Sequence, residues 1–215
     1  MTAIAIPNKP AKEYVAIIPA TIIIAGRAVA SKLIANGEPV LAIGPTANWR
    51  AKTWGAEKFA ELCQRVIAPD GFYPYGRIAI FGSLEERPQA IKVVESIPMK
   101  QRIDLVGQVS LLEVHACMKR CVCFIGNDSG LMHVAAASGI PTLGLFGPSR
   151  EELYGPCGDL TATVRTPEDF ENIHPVGFNH KTTGSLMDNL SVDQVIDALS
   201  ALIKKTNGKC LAPKD

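Results

Sequence analysis

Short apolar runs alternate with stretches of helical period along most of the chain. "PVLAIG" (39–44), "RIAIFG" (77–82), "RIDLVG" (102–107), "CVCFIG" (121–126) and "PTLGLFG" (141–147) read as strands. Helical stretches fall between and beyond them, at about 55–67, 85–96, 110–120 and 129–138. "SVDQVIDALSALIKK" (191–205) closes the pattern as a terminal helix, with Ser191 as its N-cap and Asp193 and Asp197 on its polar face. Strands apolar on both faces, alternating with helices, predict an α/β fold with a Rossmann-like, doubly wound parallel sheet. Residues 39–215 form that domain. Residues 1–38 stand outside the alternation and read as an extra strand and helix, or the remnant of an N-terminal domain. Within them "VAIIPATIIIA" (15–25) is interrupted by Pro19. It falls short of the ~20 residues of a spanning helix and reads as a buried strand or core segment.

Composition narrows the class of partner. The chain has 215 residues, 47% hydrophobic and 20% charged, as expected of a soluble globular protein with one good core or one and a half domains. A net charge of +1 provides no general field for nucleic acid or an anionic membrane. Cys63, Cys117, Cys121, Cys123, Cys157 and Cys210 are too irregularly spaced for a disulfide scaffold, which predicts a reducing, cytosolic setting. Cys121 and Cys123 share a strand face, but neither a His nor a second cysteine pair has zinc-site spacing, so no metal is expected.

Four of the strands end in glycine, at Gly44, Gly82, Gly107 and Gly126. In doubly wound sheets ligands bind beyond the carboxyl ends of the strands, where glycine lets a backbone approach a ligand closely, which directs attention to the segments after these glycines. The richest is "GNDSGLMH" (126–133). Asp128 or Ser129 is placed to cap the helix that follows, and the free N–H groups of its first turn would hold an anion. Gly130 removes side-chain bulk there, and Ser129 and His133, four residues apart, lie on one helix face. A nucleophile elbow is excluded, because glycines two residues either side of the serine are required and Gly126 and Gly130 are misplaced. After the first strand, Arg50 and Lys52 stand beside Trp49 and Trp54; a cation here suits a second phosphate contact. Glu85 and Glu86 follow the second strand, where an acid commonly accepts hydrogen bonds from ribose hydroxyls. No Gly-x-Gly-x-x-Gly turn marks a dinucleotide enzyme.

Together these segments resemble glycosyltransferase family 9, the lipopolysaccharide heptosyltransferase type. "GNDSGLMHVAAASGIPTLGLFGPS" is similar to its Asp-Ser/Thr-Gly, two residues, His, small-residue helix, Pro, Phe-Gly-Pro signature. "KTW" followed by "EKFAEL" resembles its Lys-x-Trp segment, and "GQVSLLEVHACMKRC" its Gly-x-x-Ser-Leu-x-Glu segment, all in the family's order over roughly 39–205. The resemblance implies the C-terminal, donor-binding domain of a GT-B glycosyltransferase. It implies that Lys52 meets the donor phosphates and Glu86 the ribose. Asp128, Ser129, Gly130 and the helix start would hold the diphosphate, with His133 supporting them. The implied substrate is a nucleotide sugar, ADP-heptose in the best-known members, transferred without cofactor or metal to lipopolysaccharide core or another glycan. The expected location is cytoplasmic, or peripheral at the inner membrane.

The chain departs from the family at two places. About 38 residues precede the donor half, where the family has an acceptor domain whose Gly-rich loop carries the proposed general base, an Asp. The catalytic residue is therefore expected outside this sequence. Gly55 also stands where Pro is usual. A truncated or split transferase is the first reading, completed by self-association or by a separate acceptor-domain chain. The alternatives are a non-catalytic nucleotide-binding module and an unrelated Rossmann-type nucleotide-sugar enzyme.

Overall fold

The structure, a computed structural model, describes residues 28–31, 38–180 and 182–210. Most of the proposed N-terminal segment, including the run at 15–25, lies outside them. Six parallel strands form the sheet: β1 (Val40–Gly44), β2 (Arg77–Ile80), β3 (Arg102–Asp104), β4 (Cys123–Asn127), β5 (Thr142–Phe146) and β6 (Thr161–Arg165). Their order is β3-β2-β1-β4-β5-β6. Residues 28–31 are helical, and the further helices among the described residues are α1 (Ala56–Ile67), α2 (Arg87–Ser96), α3 (Leu111–Met118), α4 (Gly130–Ala137), α5 (Glu151–Tyr154), α6 (Phe170–Ile173) and α7 (Val192–Lys205), with a 3-10 turn at Arg50–Lys52. The doubly wound α/β reading therefore holds.

Both faces of the central strands are buried, and their side chains alternate between two cores. Leu41, Ile43, Ile78, Ile80, Leu143 and Leu145 meet Phe59, Leu62 and Val66 of α1, Val93 of α2, and Val195, Leu199 and Leu202 of α7. Val40, Ala42, Ala79, Phe81 and Phe124 meet Val114, Cys117 and Met118 of α3 and Met132 and Ala135 of α4. Each such aliphatic side chain contributes about 1.5–3 kcal/mol by leaving water, so the sheet is fixed from both sides. Ser191 caps α7 through a reciprocal box with Gln194, as its sequence predicts.

Two expectations are corrected. Of the four glycines, Gly44 alone ends a strand; β4 runs one residue past Gly126, and Gly82 and Gly107 lie beyond β2 and β3. Nor do Gly44 and Gly126 clear room for a ligand. They are register partners in β1 and β4, and a Cβ on either would meet the Phe124 ring at 2.8 and 2.6 Å. Their missing side chains seat that ring. Gly139 behaves as predicted, ending α4 with φ +72° ahead of Pro141.

Strands β1 and β4 are neighbours at the centre of the sheet. The chain leaves β1 toward β2 on one side and β4 toward β5 on the other. The loops after these two strands diverge and leave a crevice at their carboxyl ends, the topological switch point.

Candidate functional site

A cleft of about 630 Å³ opens at this switch point. Lys52, Glu86, Asp128, Ser129, Gly130 and His133, all six residues singled out from sequence, line it together with Trp49, Gly82, Ser83, Val109, Leu111 and Val114. Arg50 is not among the lining residues and is exposed to solvent.

Asp128 follows directly on β4 and is buried. Its Oδ2 accepts from Lys52 Nζ at 2.6 Å and from Ser149 Oγ at 2.6 Å. The Lys52 side chain is 17% exposed and the Asp128 side chain 7%. The lysine therefore reaches the cleft from a largely desolvated ion pair. Its ammonium also lies 4.6 Å from the centre of the Trp49 ring and 5.6 Å from that of Tyr154, within cation–π range.

The loop that carries Lys52 has little regular structure, so its position comes from tethers. The Trp54 N–H donates to Asn127 Oδ1 at 3.1 Å, joining the loop after β1 to the end of β4. The indole N–H of Trp54 donates to the Leu190 carbonyl at 2.8 Å. Ser185 Oγ donates to the Thr53 carbonyl at 2.8 Å and the Leu186 N–H to the Ala51 carbonyl at 3.0 Å. Trp54 is fully buried against Phe59, whereas Trp49 is 38% exposed at the cleft. The two tryptophans thus divide a structural and a surface role.

The helix start differs from its expected capping. Ser129 occupies the N-cap position of α4, but no side-chain oxygen caps the helix among the described residues. Asp128 is committed to Lys52 and Ser149, and Ser129 Oγ is buried with no hydrogen-bond partner among the described residues. The first-turn N–H groups and the positive end of the helix dipole consequently open on the cleft. A Cβ on Gly130 would meet nothing within 4 Å, so space stands in front of that backbone. His133 is exposed on the next turn.

Glu86 sits across the cleft. It forms a reciprocal pair with Ser83, whose N–H donates to Glu86 Oε2 at 2.9 Å while Glu86 N–H donates to Ser83 Oγ at 3.3 Å. The other carboxylate oxygen stays out of this pair. The Ser-Leu-x-Glu segment at 110–113 has a structural role as well: Ser110 and Glu113 form the capping box of α3. That hydrogen bonding holds the Glu113 carboxyl below the usual carboxylate range.

One lysine faces two carboxylates in this cleft. An anionic ligand must therefore draw on the α4 N-terminus and on Lys52 together. The thiols offer no nucleophile here. Burial pushes Cys63 up to about 12 and Cys117 up to about 11, and Cys157, the exposed one, lies outside the lining.

A doubly wound sheet with an uncapped helix, a lysine and an acid gathered at its switch point has the form of a ligand-binding α/β domain. The sequence profile described as glycosyltransferase family 9 (heptosyltransferase) matches residues 10–174, and the chain belongs to that family. It is 30% identical over 134 residues to lipooligosaccharide heptosyltransferase 2 of Haemophilus influenzae, covering 60% of this chain and 37% of that one. It is 25% identical over 174 residues to lipopolysaccharide heptosyltransferase 2 of Escherichia coli, covering 79% and 48%. Among solved structures, the family 9 glycosyltransferase of Veillonella parvula superposes with a TM-score of 0.71 at 25% identity, over 87% of this chain and 53% of that one. The ADP-heptose lipopolysaccharide heptosyltransferase II of E. coli superposes with a TM-score of 0.67 at 22% identity, over 85% and 52%, a likeness of fold. The chain spans about half the length of the structures it matches and less than half of these two curated relatives. No helix among the described residues is long and apolar enough to cross a membrane.

Proposed function

We propose that this chain binds the nucleotide-sugar donor of a heptosyltransferase, an ADP-heptose-like compound, for transfer to a lipopolysaccharide core acceptor. The observation that carries the reading is the Lys52–Asp128 pair beside the uncapped start of α4, at the switch point of the sheet. In this arrangement the diphosphate lies against Gly130 and the first-turn N–H groups of α4, with Lys52 and His133 at its sides. The ribose meets the unoccupied oxygen of Glu86, and the base rests on the apolar wall of Val109, Leu111 and Val114.

As the bond from sugar to phosphate breaks, negative charge grows on the departing nucleoside diphosphate. Helix dipole and lysine stabilise that charge from fixed positions, without cofactor or metal. The group that deprotonates the acceptor belongs to an acceptor-binding domain outside the described residues. The setting is cytoplasmic or at the inner face of the membrane, where such an acceptor is assembled.

Calorimetric titration with ADP, UDP and GDP tests the donor site. Selective binding of one diphosphate is the expected result; binding of none overturns the proposal. Sugar transfer, assayed with and without the N-terminal half of a relative supplied in trans, separates a transferase from a nucleotide-binding module.

A further inference from the structure

Ser149 lies in the Gly147-Pro148-Ser149 turn after β5, outside the cleft lining yet 2.6 Å from Asp128. It is 5% exposed, and its hydroxyl donates to Oδ2, the same carboxylate oxygen that holds Lys52. The turn itself is well held. Arg165 donates to the Gly147 carbonyl at 3.1 Å, His174 Nε2 lies 3.1 Å from the Pro148 carbonyl, and Met187 packs where a Gly147 side chain would stand. The hydroxyl is thus a fixed donor aimed at a nearly buried carboxylate.

Resting on the donor-site reading above, we propose that Ser149 is a positioning residue: it sets the Asp128 carboxylate and, through it, the Lys52 ammonium. A carboxylate this buried needs hydrogen-bond partners to offset the water it has lost. With Lys52 as sole partner, turning that lysine toward a diphosphate would strand the carboxylate. Ser149 keeps it bonded, so Lys52 can be handed to the ligand at lower cost. In the empty cleft the same bond stops the carboxylate from rotating and holds the ammonium beside Trp49.

The test has one arm that needs no ligand. Lysines are reductively methylated with carbon-13, and the Lys52 signal is assigned by its loss in Lys52→Arg. Asp128→Asn supplies the reference for a released lysine. Ser149→Ala is expected to move the Lys52 signal toward that reference, away from the Trp49 ring current, and Ser149→Thr to restore it. A Lys52 signal unchanged in Ser149→Ala overturns the proposal, whether or not the protein binds a nucleotide. In the second arm, Ser149→Ala is expected to weaken ADP binding several-fold in the wild-type background and to have no further effect in Asp128→Asn. An equal loss in both backgrounds places Ser149 outside the Asp128 pathway and also overturns it. A shifted Lys52 signal in a protein that binds no diphosphate supports the positioning role and refutes the donor-site reading alone.

Discussion

Replacing Lys52 by methionine keeps most of the length of the side chain and removes its charge. At 2.6 Å and an effective dielectric near 20, the attraction to Asp128 is about 6 kcal/mol before desolvation. Desolvation of two largely buried ions cancels most of that, so the pair itself adds little net stability. The loss comes from what remains: a carboxylate 8% exposed, with Ser149 as its surviving partner. Lys52→Met should therefore lower unfolding free energy by about 1–3 kcal/mol. Its effect on ligand follows from a separate inventory. Lys52 is the only Lys or Arg lining the cleft among the described residues, against Glu86 and Asp128. A charge-assisted contact to phosphate contributes about 1.5–3 kcal/mol, so the dissociation constant for ADP should rise roughly 10- to 150-fold. Calorimetry at low and high salt measures this, with urea unfolding alongside to correct for lost stability. The salt dependence should flatten in the variant, since one phosphate contact no longer involves a cation. ADP binding as tight as wild type, in a protein that binds it, would refute the assignment of Lys52 to the phosphates.

Gly130→Ala adds a methyl group to open space at the first position of α4 and should stabilise the fold by about 0.4–1 kcal/mol while, on the proposed donor-site reading, weakening ADP binding. Opposite signs in urea unfolding and calorimetry are the result to look for; unchanged affinity would place the diphosphate elsewhere. Gly44→Ala should cost about 1–3 kcal/mol by collision with the Phe124 ring, and Phe124→Leu in the same chain should recover part of it. Gly126→Ala should resist that rescue, since its Cβ also meets the Gly44 carbonyl at 2.8 Å; urea midpoints of the four variants check both. His115 titrates below its ordinary value, chiefly through burial and secondarily through the charge of Lys119. The unfolded chain therefore takes up that proton first, and stability falls as pH drops below about 6.5. In His115→Gln, unfolding measured between neutral and mildly acidic pH should lose this slope.

The central strands were legible because a parallel strand covered on both faces is apolar at nearly every position, as in Val40–Gly44 and Cys123–Asn127. Strand β6 escaped notice for the converse reason. It is an edge strand of alternating Thr, Ala and Val ending in Arg165, half-buried except at the exposed Thr163, with no apolar run to mark it. The candidate residues of the cleft were legible as motif positions, and the structure gathers all six. Their bonding was not. Capping of α4 by Asp128 or Ser129 was a fair local expectation, but it lost to a partner 76 residues away in sequence. Ser149 carried no signal of its own, because a serine after Gly-Pro reads as an ordinary turn. The glycines misled, since a missing Cβ in sequence does not say whether a ligand or a neighbouring ring takes its place.

That distant pairing explains why the site needs the whole sheet. Lys52 rides on an irregular loop after β1, whereas Asp128 and Ser149 follow β4 and β5. Only the order that sets β1 beside β4 brings them within 2.6 Å. The loop is then held from two directions, by Asn127 at the end of β4 and by residues 185–190 lying across Ala51 and Thr53. Neither Asn127 nor residues 185–190 line the cleft. Both hold the loop that carries Lys52, and with it the Lys52–Asp128 ion pair. A change at Ser185 or Asn127 should therefore reach the donor site through Lys52, with its effect on ligand affinity vanishing once Lys52 is already methionine. Non-additivity of that kind, measured as a double-mutant cycle on ADP binding, distinguishes a tether of the lysine from a general stabiliser of the domain.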